Sequence, residues 1–273
     1  MNVPQSRYLP WCTALVLIFT TACGGRGGSA VPSPVTSGTA SPAAIDSMWV
    51  RAGDFYAREK WDDAAVAYER VQLEMRSGDP RIPKARFQLA ETRLHQKSNL
   101  QAVREFRRVS DDFSGDSLAP IALVRAGDAY AALWRRPELD PTYGTVALAT
   151  YQEVSSRFPG TPSATVAQAK IAGLEDKFAY KAYRAAEFYV RYKAHDSAVL
   201  LLKDLIATYP RTAIIPEALE SLVDTYRKLG YLEDVAETCE YFRRFHSESP
   251  RLASTCPATT PGAVPTAGGT PGS

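Results

Sequence analysis

"DDAAVAYERVQLEM", Asp62 to Met75, sets the reading of the whole chain. A small residue, Ala64, is followed by Tyr68, Val71 and Met75 at offsets of four, seven and eleven. At 3.6 residues per turn these four side chains fall on one stripe of a helix. The same offsets recur as Ala102, Phe106, Val109 and Phe113 in "LQAVREFRRVSDDF", and as Ala147, Tyr151, Val154 and Phe158 in "VALATYQEVSSRF". They recur again as Ala198, Leu202, Leu205 and Tyr209 in "SAVLLLKDLIATY", and more weakly as Val235, Cys239, Phe242 and His246. A small residue permits close approach of a neighbouring helix, and the larger ones fill the space above and below it.

Ahead of most copies stands a second helical segment, with "AGDFY" (Ala52 to Tyr56), "AGDAY" (Ala126 to Tyr130) and "LVDTY" (Leu222 to Tyr226). Paired helices of this kind resemble the tetratricopeptide repeat, a unit of about 34 residues that buries its apolar face only by stacking on neighbours. The expected fold is therefore all-α, an α-solenoid of about five tetratricopeptide-like helix pairs over residues 44–247. Helix starts are signalled by Asp79-Pro80, by Ser98 with Gln101, by Thr161-Pro162 and by Thr212.

The ends differ in composition. "TALVLIFTTACGGRGG" (Thr13 to Gly28) is an apolar run with a small-residue exit, preceded by a single charge, Arg7. Its apolar core of about ten residues fits a secretory signal over 1–22; a spanning helix needs about twenty. "TTAC" resembles a bacterial lipobox, which implies a lipid anchor on Cys23, with palmitate-type acylation of the new amino terminus. The alternative is an ordinary cleaved signal. Gly24 in place of aspartate points to the outer membrane. Residues 23–43 read as a flexible tether and 248–273 as a disordered Ser/Thr/Pro/Gly tail, since neither can bury enough apolar surface to fold. Cys12 leaves with the signal. Cys239 and Cys256 either form a disulfide stapling the tail to the last helix, or are a small core residue and a stray.

The 32 basic and 30 acidic residues leave a formal charge of +2, spread along the chain. This is not the concentrated footprint of a nucleic-acid binder. His95, His195 and His246 lie in different repeats, and no HExxH, paired CxxC or phosphate loop is present. No catalytic or metal site and no cofactor is expected. His195-Asp196 reads as a helix cap. The aromatics Phe178, Tyr180, Tyr183, Phe188, Tyr189 and Tyr192 read as core packing on both sides of a long helix, Ser163 to Tyr192, in preference to a ligand box.

From Tyr143 to Pro250 the chain resembles the BamD family of outer-membrane assembly lipoproteins. The features carrying this are the long helix with its aromatic pair Phe188-Tyr189, then Tyr209, Pro210 and Thr212, then a helix opening with Glu217 to Leu219. The resemblance implies a non-enzymatic scaffold of the β-barrel assembly machinery, lipid-anchored at the periplasmic face of the outer membrane. It further implies docking to a BamA-like barrel protein and other assembly subunits, and a concave groove for unfolded outer-membrane protein segments. Where the family often carries a partner-pairing arginine, this chain has Leu201, so the contact is apolar or differently arranged. The rival reading is a periplasmic repeat protein of the Tol-Pal, cell-envelope coordination type.

Overall fold

The computed structural model describes residues 40–257, and these form an all-α solenoid. Its five helix pairs are α1 (Pro42–Ala57) with α2 (Trp61–Glu74), α3 (Ile82–His95) with α4 (Asn99–Asp112), α5 (Leu118–Leu133) with α6 (Thr142–Arg157), α7 (Pro162–Arg191) with α8 (His195–Thr208), and α9 (Ile215–Leu229) with α10 (Leu232–Phe245). A single turn, α11 (Arg251–Thr255), follows. Each helix packs on the next, and α3, α5, α7 and α9 also touch in sequence, so these four odd-numbered helices make one continuous row.

The stripe is the seam that holds these pairs. At its first three positions, in the first four copies, no residue is more than 3% exposed. The fourth position closes each helix instead. Met75, Phe113, Phe158, Tyr209 and His246 are the C-cap residues of α2, α4, α6, α8 and α10, and each still donates its N–H to the carbonyl four residues back. Met75, Phe158 and Tyr209 still pack against the buried cores from this position.

The long helix α7 has two loyalties. Ala167, Ile171, Leu174 and Phe178 pack with α5 and α6 around Tyr151 and Trp134. Ala179, Ala182, Tyr183 and Ala186 pack with α8 and α9 around Leu202, Leu205 and Leu219. One uninterrupted helix therefore belongs to two cores and joins the earlier repeats to the later ones.

Several expectations need correction. The tether does not run to residue 43: α1 starts at Pro42, capped by the Ser41 hydroxyl, which accepts from the Ala44 N–H at 3.3 Å. The Ala40 N–H is also held, by Glu74 Oε2 at 3.0 Å. The tail does not begin at 248, because α11 packs on α9. Arg251 pairs with Glu217 at 2.5 Å and with Glu220, Arg227 donates to the Thr255 carbonyl, and the Sγ atoms of Cys239 and Cys256 are bonded, with their Cα atoms 5.6 Å apart. These contacts supply what composition alone lacked. Ser98 occupies an N-cap position but its hydroxyl makes no capping bond; Thr161 does cap, accepting from the Ala164 N–H at 3.2 Å. His195 is the first residue of α8 and Ala194 is its cap. The signal segment, Cys23 and residues 258–273 lie outside the described residues.

Candidate functional site

The row of odd helices carries a cleft of about 630 Å³ between α5 and the start of α7. Ser117, Pro120, Ile121, Val124, Arg125 and Asp128 recur every three or four residues and so share one face of α5. Pro162, Val166 and Lys170 do the same on α7. Proline at the first turn of α7 costs nothing, since its missing N–H lies where the helix has no acceptor to offer. The cleft walls are mostly apolar, with Arg125, Asp128 and Lys170 as the charged part of the lining.

Those ions are arranged in alternating sign. Glu91 of α3 accepts two hydrogen bonds from the Arg125 guanidinium, both at 2.6 Å. Arg125 also donates to Asp128 at 3.2 Å, and Lys170 of α7 lies 3.1 Å from Asp128. The Tyr151 hydroxyl of α6 donates to Asp128 at 2.8 Å. A glycine makes that last bond possible: a Cβ on Gly127 would stand 2.4 Å from the Tyr151 ring. Burial, then the Asp128 charge, pushes the Tyr151 phenol well above its ordinary range, so it stays a donor. The fork of Glu91 holds Arg125 firmly cationic.

Four helices are tied here, three by charges that satisfy one another and α6 by the neutral Tyr151 hydroxyl. The cleft therefore offers apolar contact beside an internally neutral polar wall, a surface suited to apolar side chains of a chain lying across it. Among the described residues there is no cluster of three His, Cys, Asp or Glu side chains able to hold a metal ion, and no helix long and apolar enough to cross a membrane.

The residues singled out from sequence lie elsewhere. Leu201 on α8 is half-buried against the core of α7 to α10, whereas its neighbour Leu200 is 70% exposed. Cys239 and Cys256 sit at the far end of the solenoid. His95 stacks on Trp61 with ring centroids 4.0 Å apart, and burial lowers the pKa of His246. The aromatic reading of α7 holds for Phe178 and Tyr183 and fails for Tyr180, Phe188, Tyr189 and Tyr192, which are exposed. Periodicity assigns those four to a core because it treats a helix of this length as covered on both sides. "AGDAY" marks Gly127 and Asp128, but nothing in the sequence pairs Asp128 with Tyr151, Lys170 or Arg125, which are brought together only by stacking.

Residues 45–241 match the family model YfiO, described as outer membrane lipoprotein. The outer membrane protein assembly factor BamD of Vibrio cholerae serotype O1 is 29% identical over 103 residues, 38% of this chain and 43% of that protein. BamD of Caulobacter vibrioides is 24% identical over 224 residues, 81% of this chain and 71% of that protein. BamD of Neisseria meningitidis is 27% identical over 113 residues, 41% of this chain and 42% of that protein. The matched segment thus spans less than half of the Vibrio and Neisseria relatives. Among solved structures, the TPR2AB domain of yeast Sti1 in complex with pHSP90 aligns with 14% identity and a TM-score of 0.41 over 77% of this chain and 80% of that one. A TPR protein of Thermus thermophilus aligns with 19% identity and a TM-score of 0.34, over 77% and 95%. With the family model covering most of the solenoid and its curated relatives all bearing one name, this chain belongs to the YfiO family of outer membrane lipoproteins, the BamD family.

Proposed function

We propose that the protein is a non-enzymatic assembly scaffold, working in outer-membrane protein assembly as the names of its relatives state for them. The observation that carries this reading is the family match across 45–241, because it includes the joint helix α7 and both sets of repeats. Cys23 is the proposed lipid anchor, and the periplasmic face of the outer membrane the proposed location. The proposed domain order is signal, tether, solenoid and tail.

In this reading the cleft between α5 and α7 receives unfolded outer-membrane protein segments. Strands of a membrane barrel alternate apolar and polar residues. In an extended chain every second side chain points the same way, about 7 Å apart, so one face meets Ile121, Val124 and Val166 while the other stays in water. The repeats from α7 to α11 dock a BamA-like barrel protein and its companion subunits. Leu200 supplies the outward apolar contact on α8, and Leu201 supports it from within. The Cys239–Cys256 disulfide closes this end in an oxidising compartment.

Affinity capture from detergent-solubilised envelopes tests the partner. Recovery of a BamA-like barrel protein is expected; recovery of Tol or peptidoglycan-linked proteins overturns the reading in favour of the Tol-Pal type. Cys23→Ser is expected to release the chain from outer-membrane fractions. A photo-crosslinker at Ile121 or Val166 should capture unfolded barrel segments, and one at Leu73, exposed on α2, should not. Equal capture at both positions removes the cleft from the account.

A further inference from the structure

The end of α7 gathers three outward-facing aromatic rings within five residues. Phe188, Tyr189 and Tyr192 all face outward there, and Tyr192 is 71% exposed. The rings pack on one another instead of on the core: Phe188 lies edge-on to Tyr189 at 5.5 Å and tilted over Tyr192 at 4.4 Å. They form a preassembled cluster that folding leaves uncovered.

Its surroundings are basic. Arg184, Arg191 and Lys193 are exposed. The neighbouring acid, Glu187, is taken up by Arg184 at 2.5 Å, and Asp196 is the other exposed carboxylate nearby in the chain. Arg191 and Lys193 have no carboxylate partner among the described residues. The cluster also stands clear of the preceding repeat. Lys181 is fastened to the Leu139 carbonyl at 3.0 Å, and the roughly ten residues of α7 beyond it extend about 15 Å further, at 1.5 Å per residue.

We propose that this end of α7 is a foot that seats on an anionic lipid surface. Tyrosine and phenylalanine with flanking cations suit the boundary between acyl chains and headgroups, where a ring enters the apolar layer and its hydroxyl stays wet. Each cation near an anionic surface strengthens the attraction, and salt weakens it. Such a patch binds weakly alone, but a chain already held at the membrane meets the surface at an effective concentration in the millimolar range. The proposal rests on the reading of the chain as membrane-tethered. Its consequence is orientation: a tether fixes one point, and a foot on the fourth helix pair fixes a second.

The test is amide hydrogen exchange on the full lipidated chain in phosphatidylethanolamine–phosphatidylglycerol vesicles, in phosphatidylcholine vesicles and in detergent. Severalfold slower exchange over 186–195 is expected in the anionic vesicles alone. Phe188→Ser with Tyr192→Ser should abolish it, as should Arg191→Glu with Lys193→Glu, while exchange in α3 to α6 stays unchanged. Exchange that is equal in all three media overturns the proposal. Protection in phosphatidylcholine that survives the charge reversal overturns its anionic part, and protection appearing only with a partner protein present reassigns the foot to a protein interface. Vesicle flotation reports separately on the tether. If the chain does not float, a hexahistidine-tagged Cys23→Ser chain held on nickel-chelating lipids keeps the foot testable.

Discussion

Four of the five hairpins turn from first helix to second through the same bend, and the third does not. In the four, one residue adopts a left-handed conformation: Glu59 at φ 56°, Lys97 at 62°, Lys193 at 57° and Gly230 at 78°. The following N–H then reaches back five residues, Lys60 to Phe55, Ser98 to Arg93, Ala194 to Tyr189 and Tyr231 to Tyr226, at 2.9 to 3.0 Å. This is the Schellman ending, which satisfies carbonyls that a helix terminus otherwise leaves unpaired. Between α5 and α6 the chain instead runs through Trp134 to Pro141. There side chains do the work. Trp134 is buried against Phe178, with Lys177 over its ring at 4.4 Å and bonded to its carbonyl. Lys181 holds the carbonyls of Glu138 and Leu139. Asp140 accepts from the Thr142 N–H at 2.7 Å, and its hydrogen bonds from Thr142 keep its carboxyl below the usual range. A short turn stores its geometry in the backbone. A long one borrows it from the next repeat, and here that lender is α7.

Substitutions sort along this contrast. The largest effect is expected at the seam that both kinds of hairpin share. Ala147→Arg overpacks a fully buried position on α6 and strands a charge, costing about 4 kcal/mol; an unchanged melting temperature would break the comparison at its root. Next comes the end of the fifth hairpin, on which, among the described residues, only the single turn α11 packs. Cys256→Ser releases a 17-residue loop closure and should cost about 3 kcal/mol, read as earlier unfolding of α9 to α11 in a thermal melt.

Gly144→Ala targets the long loop, since its Cβ would stand 2.2 Å from the Trp134 ring. A loss of about 2 kcal/mol in urea unfolding is expected, and a neutral result would mean that Trp134 does not hold the loop. At the tight turns, Gly230→Ala should cost about 1 kcal/mol because its φ is positive although the space around it is open. The smallest effect has the opposite sign. Lys97→Gly relieves a left-handed lysine and should gain about 0.5 kcal/mol, net of the extra freedom glycine adds to the unfolded chain. Were Lys97→Gly as harmful as Gly144→Ala, backbone and side-chain control would not be distinct.

The seam was legible because it repeats. A stripe of Ala, aromatic and β-branched residues at fixed offsets states which face of each helix is inside, whatever packs on it. The tight turns were not legible, because three of their four left-handed residues are Glu59, Lys97 and Lys193 in place of glycine. The aromatics at the end of α7 misled for a related reason. Periodicity reports which residues share a face and is silent on whether a neighbour covers it, so Phe188 and Tyr192 read like Phe178 and Tyr183.

What the sequence determined alone is local: helices, their inward stripes, and a family resemblance carried by the stretch around Phe188-Tyr189 and Tyr209-Pro210. Tertiary structure alone decided that Glu91, Arg125, Asp128, Tyr151 and Lys170 meet, that α7 serves two cores, and that residues 251–256 fold back onto α9. The reason is range. A helix and its apolar face follow from residues a few positions apart, whereas a polar network across four helices depends on stacking angle and register, which no single helix encodes.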